Sequence, residues 1–166
     1  MPLLSTPPRT TGATFDETGR YRYTLWRVWD ETLPRVAFVM LNPSTADAEV
    51  NDPTIRRCIG FARDWGYGSL EVVNLFSYRA TRPQQLKQAS DPVGERTDEF
   101  ILAASDRTEL LVLAWGNWGT LLNRDRKVLE LLGDRPYFCL SQNRSGQPGH
   151  PLYLHRDKQP VLFQKK

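Results

Sequence analysis

The hydrophobic pattern of the chain centres on one run. Val36, Ala37, Phe38, Val39, Met40 and Leu41 follow one another without a polar break and stop at once on Asn42-Pro43-Ser44-Thr45. An unbroken apolar run this short predicts a strand buried on both faces, as in a parallel sheet. Pro43 has no N–H to give a ladder and closes it. Residues 70–76, 109–116 and 136–140 are three more short apolar runs, each predicting a buried strand. Helical patterns lie between them. Asp52 and Pro53 supply an N-cap and a first-turn proline for a helix through Ile55, Ile59 and Ala62 to Trp65, and Gly66 stops it. A short helix is expected over 81–86 and a longer one over 95–106. An amphipathic helix is expected over 119–132, on Leu121, Leu122, Val128, Leu129 and Leu132.

Upstream, residues 21–29 alternate, with Tyr21, Tyr23, Leu25 and Trp29 on one face. With residues 30–34 as a turn into the central strand, residues 14–40 predict a β-hairpin at a sheet edge. Strand, loop, helix and strand at the spacing of residues 36–76 predict a right-handed βαβ unit. The fold expected is α/β: a three-layer α/β/α sandwich with a short, mainly parallel sheet and an N-terminal β-hairpin. Residues 1–13 are expected to be a flexible lead, and 14–166 one domain.

Composition adds bounds. A chain of 166 residues, 40% of them hydrophobic, has room for one real core. No apolar run approaches ~18 residues, so no membrane span is expected. The first residues lack the basic start and long apolar core of a signal peptide, which makes the cytoplasm the default expectation. Net charge is +3, with a pI near 9.0, and the basic residues are mostly arginine, which suits phosphate contact. Cys58 and Cys139 are far apart, and His150 and His155 are the only imidazoles. That set is too sparse for a zinc or iron–sulfur site, so neither metal nor cofactor is expected and both thiols are read as small core residues.

Four predicted strands end on polar or glycine-containing loops: Asn42-Pro43-Ser44, Asn74-Leu75-Phe76, Trp115-Gly116-Asn117, and the loop holding His150-Pro151-Leu152-Tyr153. In a parallel sheet these ends share one rim, where α/β proteins bind ligands. Their order resembles the uracil-DNA glycosylase superfamily. The motifs compared are Met40-Leu41-Asn42-Pro43-Ser44, Val72-Val73-Asn74-Leu75-Phe76-Ser77-Tyr78-Arg79, an apolar strand closing on Trp115-Gly116-Asn117, and His150-Pro151-Leu152-Tyr153-Leu154. The chain more closely resembles a bacterial and phage family of unknown function, number 1643, at Leu-Asn-Pro-Ser-Thr-Ala, Asp-Pro-Thr-Ile-Arg-Arg-Cys, Val-Asn-Leu-Phe and His-Pro-Leu-Tyr.

The glycosylase resemblance implies a uracil-DNA glycosylase-like fold and a hydrolase that flips a base from DNA and cleaves its N-glycosidic bond. It implies that Asn42 orients the water, that Asn74 reads the base edge, and that His150 stabilises charge on the departing base. Asp47, with Asp52, is a candidate true base near Asn42, ranked below it because neither has a counterpart in the family pattern. Met40, Leu41, Pro43, Ser44, Phe76 and Trp115 are expected to complete the base pocket. Arg56, Arg57, Arg79, Asn117 and Arg144 are expected on the nucleic acid, with Leu152 and Tyr153 as an apolar wedge. The chain departs from the family pattern in three places. The second residue of the family's Ser-Pro pair is missing from the His loop, where Leu152-Tyr153 stands instead. No aromatic follows the first motif to stack a flipped base. The segment after it is acidic, with Asp47, Glu49 and Asp52. Two other readings stay open: a non-catalytic nucleic-acid or nucleotide-binding module, and an N-glycosidase of free nucleosides or nucleotides.

Overall fold

A computed structural model describes residues 11–165. Strand β1 (Thr11–Phe15) and β2 (Arg22–Val28) form an antiparallel hairpin. The central strand β3 (Arg35–Met40) leads into helix α1 (Pro53–Asp64), and β4 (Ser69–Asn74) follows. Helices α2 (Gln84–Gln88) and α3 (Thr97–Asp106) precede β5 (Leu110–Leu113). A 3-10 segment at Asn117–Asn123 runs into α4 (Arg124–Leu132), and then come β6 (Phe138–Cys139), a 3-10 turn at Pro151–Tyr153, and β7 (Val161–Leu162). The seven strands make one mixed sheet in the order β1-β2-β4-β3-β5-β6-β7. The β4, β3, β5 and β6 strands run parallel; β1, β2 and β7 run antiparallel at the two edges. The sheet is thus mixed rather than mainly parallel.

Both faces are covered. Ala37, Val39, Leu41, Val73, Leu75, Leu111 and Leu113 meet Ile101 and Ala104 of α3 and Val128 and Leu132 of α4. Val36, Phe38, Met40, Leu70, Val72 and Val112 meet Ile55, Cys58, Phe61 and Ala62 of α1. The run Val36–Leu41 is buried throughout, as its lack of polar breaks predicts. Cys58 and Cys139 are free and buried, and burial raises both thiols' pKa, which leaves them inert. The α1 boundaries match the sequence signals. Asp52 Oδ1 accepts from Ile55 N, Pro53 occupies the first turn, and Gly66 follows the C-cap at φ +85°.

Three expectations change. The hairpin lies at 11–28, not 14–40, because β4 inserts between β2 and β3. The end of β2 and the start of β3 flank the same residue, Ser69. The chain crosses beneath β4 there: Trp29 and Asp30 N–H donate to Gly68 O, and Gly68 N–H donates to Pro34 O. A Cβ on Gly68 would lie 1.9 Å from Asp30 O, so the crossing requires glycine. Second, Thr11–Ala13 belong to β1 rather than to the lead; residues 1–10 lie outside the described residues. Third, α4 starts only at Arg124, because Leu122 and Asn123 sit at φ +54° and +58° and break the helix expected from 119.

A bulge in the hairpin matters for the site. Thr14 pairs with Thr24 but Phe15 pairs with Arg22, leaving Tyr23 as the extra residue. The alternation slips by one there. Tyr23 stacks on Phe100 of α3 at 5.1 Å, while Arg22 turns to the α1 face, shared with Leu25.

One buried charge in the sheet is well compensated. Glu71 is fully buried, takes ion pairs from Arg35 and Arg107, and accepts from Thr24 Oγ1 at 2.7 Å. Removing the carboxylate leaves the buried Thr24 hydroxyl and the partly buried Arg35 without their acceptor. Glu71→Ala is expected to lower unfolding stability by about 3 kcal/mol, measured by urea denaturation; a loss below about 1 kcal/mol would contradict this account.

Candidate functional site

The parallel pairing extends past the strands. Leu75 and Phe76 N–H donate to Met40 and Leu41 O, and Ala114 N–H donates to Val39 O. The ends of β3, β4 and β5 are thereby held level. The helix after β3 packs on one face and those after β4 and β5 on the other, so β3 and β5 bound a topological switch point. A cleft of about 590 Å³ opens there, between the strand ends, the first turn of α1 and the His150 loop. Gly116, at φ +76°, turns the chain away, and its N–H donates to Pro148 O, which ties the β5 loop to the His150 loop.

Asn74 lies on the floor of this cleft, 1% exposed, and neither its Oδ1 nor its Nδ2 has a partner. Asn42 sits beside the floor. Its Nδ2 donates to Pro43 O at 2.9 Å and Ala80 O at 2.8 Å, which fixes the amide and leaves its Oδ1 free to accept. His150 caps the 3-10 turn: its Nδ1 accepts from Leu152 N–H at 3.2 Å, which places the neutral ring's proton on Nε2. Burial lowers the His150 pKa, opposed in part by Asp52. The ring is therefore a neutral donor at neutral pH. Met40, Leu41, Pro43, Ser44, Trp115 and Asn117 also line the cleft. Trp115 is mainly a packing residue. Its Nε1–H donates to Gln147 Oε1 at 2.8 Å, and its ring occupies the space a Cβ on Gly119 would need. Asn117 Oδ1 is taken by Asn143 Nδ2 and Ser145 Oγ. Leu152 and Tyr153 stand at the mouth, 41% and 84% exposed.

Several expected site residues lie elsewhere. Phe76 is fully buried against the α3–α4 face and does not reach the cleft, because β4 ends at Asn74 and the alternation breaks there, so that Leu75 and Phe76 both join that core. Asp47 lies outside the cleft; its Oδ1 accepts from Glu49 and Val50 N–H, which lowers its pKa and makes it a turn cap. Arg57 donates to Pro151 O and Leu154 O and so clamps the His150 loop to α1. Arg79 donates to Ser44 O and Gly19 O and lies 5.0 Å over the Phe15 ring. Arg56 donates to Asn51 O. These arginines donate to backbone carbonyls of the rim loops, which need donors. Arg144 is exposed and lies off the cleft lining.

The residue that sequence reasoning missed is Arg22, which lines the cleft although only 2% exposed. Its only periodic signal was the alternation of residues 21–29, which places it on the wrong face, and the bulge reverses this. Asp52 also lines the cleft, but both its oxygens are committed, to Ile55 N–H and Ala46 N–H. Among the described residues no group of three or more His, Cys, Asp and Glu side chains is placed to hold a metal ion, and no helix is long and apolar enough to cross a membrane.

The His150 ring makes a pH-dependent contribution. Its folded pKa lies below 6.5, so the unfolded chain takes the proton first. The stability tied to the neutral ring is present above the unfolded value and is lost as pH falls through the folded value. An NMR titration of the ring Cε1–H is expected to place His150 below 6.5, with His150→Gln flattening the stability–pH curve on the acid side. A titration at or above 6.5 would refute the buried, Nδ1-accepting geometry.

A family model for a protein family of unknown function, DUF1643, matches residues 22–152. No curated protein and no solved structure matches the chain. The match spans β2 to the start of the His150 turn and includes Arg22, Asn42, Asn74 and His150. The chain belongs to the DUF1643 family.

Proposed function

We propose that the cleft hydrolyses the N-glycosidic bond of a nucleobase, with DNA carrying a modified or damaged base as the first substrate class. The observation that carries this reading is the Asn74 amide. A buried polar group without a partner costs about 1–3 kcal/mol, and here donor and acceptor are both unpaired. A ligand that offers a donor beside an acceptor, as a pyrimidine edge does, satisfies both at once.

The remaining groups fit the steps. The free Oδ1 of Asn42 orients a water towards C1′ of the sugar. Asn cannot take up the proton near neutral pH, so its role is positioning and the proton leaves to solvent. The C1′–N bond breaks with its electron pair on the base. The Nε2–H of neutral His150 donates to the base oxygen on which that charge develops. Exposed Leu152 and Tyr153 at the mouth suit a wedge in a base stack.

One observation favours the second reading, an N-glycosidase of free nucleosides or nucleotides. Arg56, Arg57 and Arg79, the arginines nearest the rim in sequence, spend donors on the protein's own carbonyls and leave less to grip a DNA backbone.

Free-base release tests both. The protein is incubated with single- and double-stranded oligonucleotides carrying a panel of modified bases, and with the matching nucleosides and nucleotides, and released base is detected by mass spectrometry. Release is expected to fall ~10²–10³-fold in His150→Ala, and also in Asn74→Ala. Release from oligonucleotides supports the first class and release from small molecules alone the second. Binding without release anywhere in the panel would leave a binding module and sink the hydrolase.

A further inference from the structure

The cleft contains a buried cation that the reaction above does not use. Arg22 is 2% exposed. Its NH1 donates to Ala46 O at 3.1 Å, its Nε has no partner, and it forms no ion pair among the described residues. The other buried arginines are not left this way. Arg27 donates to the carbonyls of Gly12, Asp47, Ala48 and Val50 and to Asn51 Oδ1. Arg124 donates to Leu75 O and pairs with Asp98 at 2.7 Å. Asp52 is the carboxylate that acts most strongly on Arg22, yet both its oxygens already accept backbone N–H groups. Burial pulls the Arg22 guanidinium down to about 10, still charged at neutral pH. A charged group taken from water without a matching acceptor is unfavourable unless something else supplies one.

The surroundings say what that something is. Arg22 shares the cleft with Asn74 and with Pro53, Thr54 and Ile55, the first turn of the 12-residue helix α1. Pro53 has no N–H and the Ile55 N–H is already held by Asp52, so the guanidinium rather than the helix start supplies the positive charge here. The cleft's volume of about 590 Å³ lies within the ~300–1,000 Å³ that holds a whole small molecule. We infer that Arg22 anchors an oxyanion subsite on the cleft floor, and that the substrate carries a terminal phosphate or carboxylate which reaches it while Asn74 reads the base edge. The group is terminal because the floor is closed. A phosphodiester must leave in two directions, and a residue so deeply buried offers no second exit. This deepens the glycosidase reading and rests on it only for the placement of the base. The two sources of the anion are a 5′-phosphate on a free nucleotide and an acidic substituent on the base.

Calorimetric binding to the full chain separates them. The probes are uridine against uridine 5′-monophosphate, and uracil against 5-carboxyuracil. At least one anionic member is expected to bind about tenfold tighter than its neutral partner, the size of one charge-assisted hydrogen bond. Arg22→Gln is expected to erase that ratio, while Arg22→Lys keeps part of it. The pair that shows the preference identifies phosphate or carboxylate. Equal affinities in both pairs, no binding of either anion at millimolar concentration, or a preference that survives Arg22→Gln would overturn the subsite. If Arg22→Gln does not fold by circular dichroism, the wild-type ratios and Arg22→Lys decide. Anion preference without base release keeps the subsite and sinks the hydrolase; base release without anion preference does the reverse.

Discussion

The parallel register of β3 between β4 and β5 is the constraint on which everything else rests. Met40 pairs with Asn74, and Val39 with Leu113, and the same ladders continue into the loops through Leu75, Phe76 and Ala114. That continuation keeps Asn42, Asn74 and Gly116 at one level. Side chains alternate across a strand, so a one-residue slip of β4 would turn Asn74 into the α3–α4 core and send Val73 to the cleft. The apolar alternation on both faces forbids the slip, since it would bring Glu71 to the α1 face, away from Arg107 and Thr24. Packing of the core and aim of the cleft floor are therefore one requirement.

Buried charge divides the molecule into scaffold and site. Glu71 holds the lower half of the sheet to the end of α3 through Arg107 and to β3 through Arg35. Arg27 gathers the 47–51 loop around its guanidinium, which turns the Asp47 carboxylate outward and the loop carbonyls inward. Arg124 joins α4 to the end of β4 and to α3. Each of these groups recovers in hydrogen bonds what it loses in hydration. Arg22 and Asn74 do not, and both lie in the cleft. Unsatisfied polar groups concentrated in one concave place, while the other buried charges among the described residues are paired, mark a place shaped for something other than the chain itself.

The His150 loop shows how the roof is built from contacts distant in sequence. Arg57 of α1 holds the Pro151 and Leu154 carbonyls, Gly116 holds Pro148, and the His150 ring caps its own turn. The Arg57 guanidinium is thus the bolt of the roof. Its place follows from helix geometry, since Arg57 lies one turn past the α1 start and faces the loop that crosses there.

Much of this was legible along the chain. The unbroken run at 36–41 announced a strand buried on both faces, and Asp52, Pro53 and Gly66 announced the limits of α1, because these signals act through near-neighbour sterics and local hydrogen bonds. The four polar strand ends could be foreseen on one rim because parallel strands share a direction, and Asn42, Asn74, Trp115 and His150 do line one cleft. The insertion of β4 between β2 and β3 was not legible, since a short turn-like segment reads the same whether it joins neighbours or passes beneath a strand. The partners of Arg57, Arg79 and Asp47 were not legible either, because which carbonyl or N–H a side chain meets depends on loops that only the assembled fold brings near. Arg22 is the clearest case. Period-two alternation sends it to one face, and a single extra residue in β2, set by its pairing with β1, sends it to the other. Local pattern decides what each segment becomes; long-range strand pairing decides which way its side chains point.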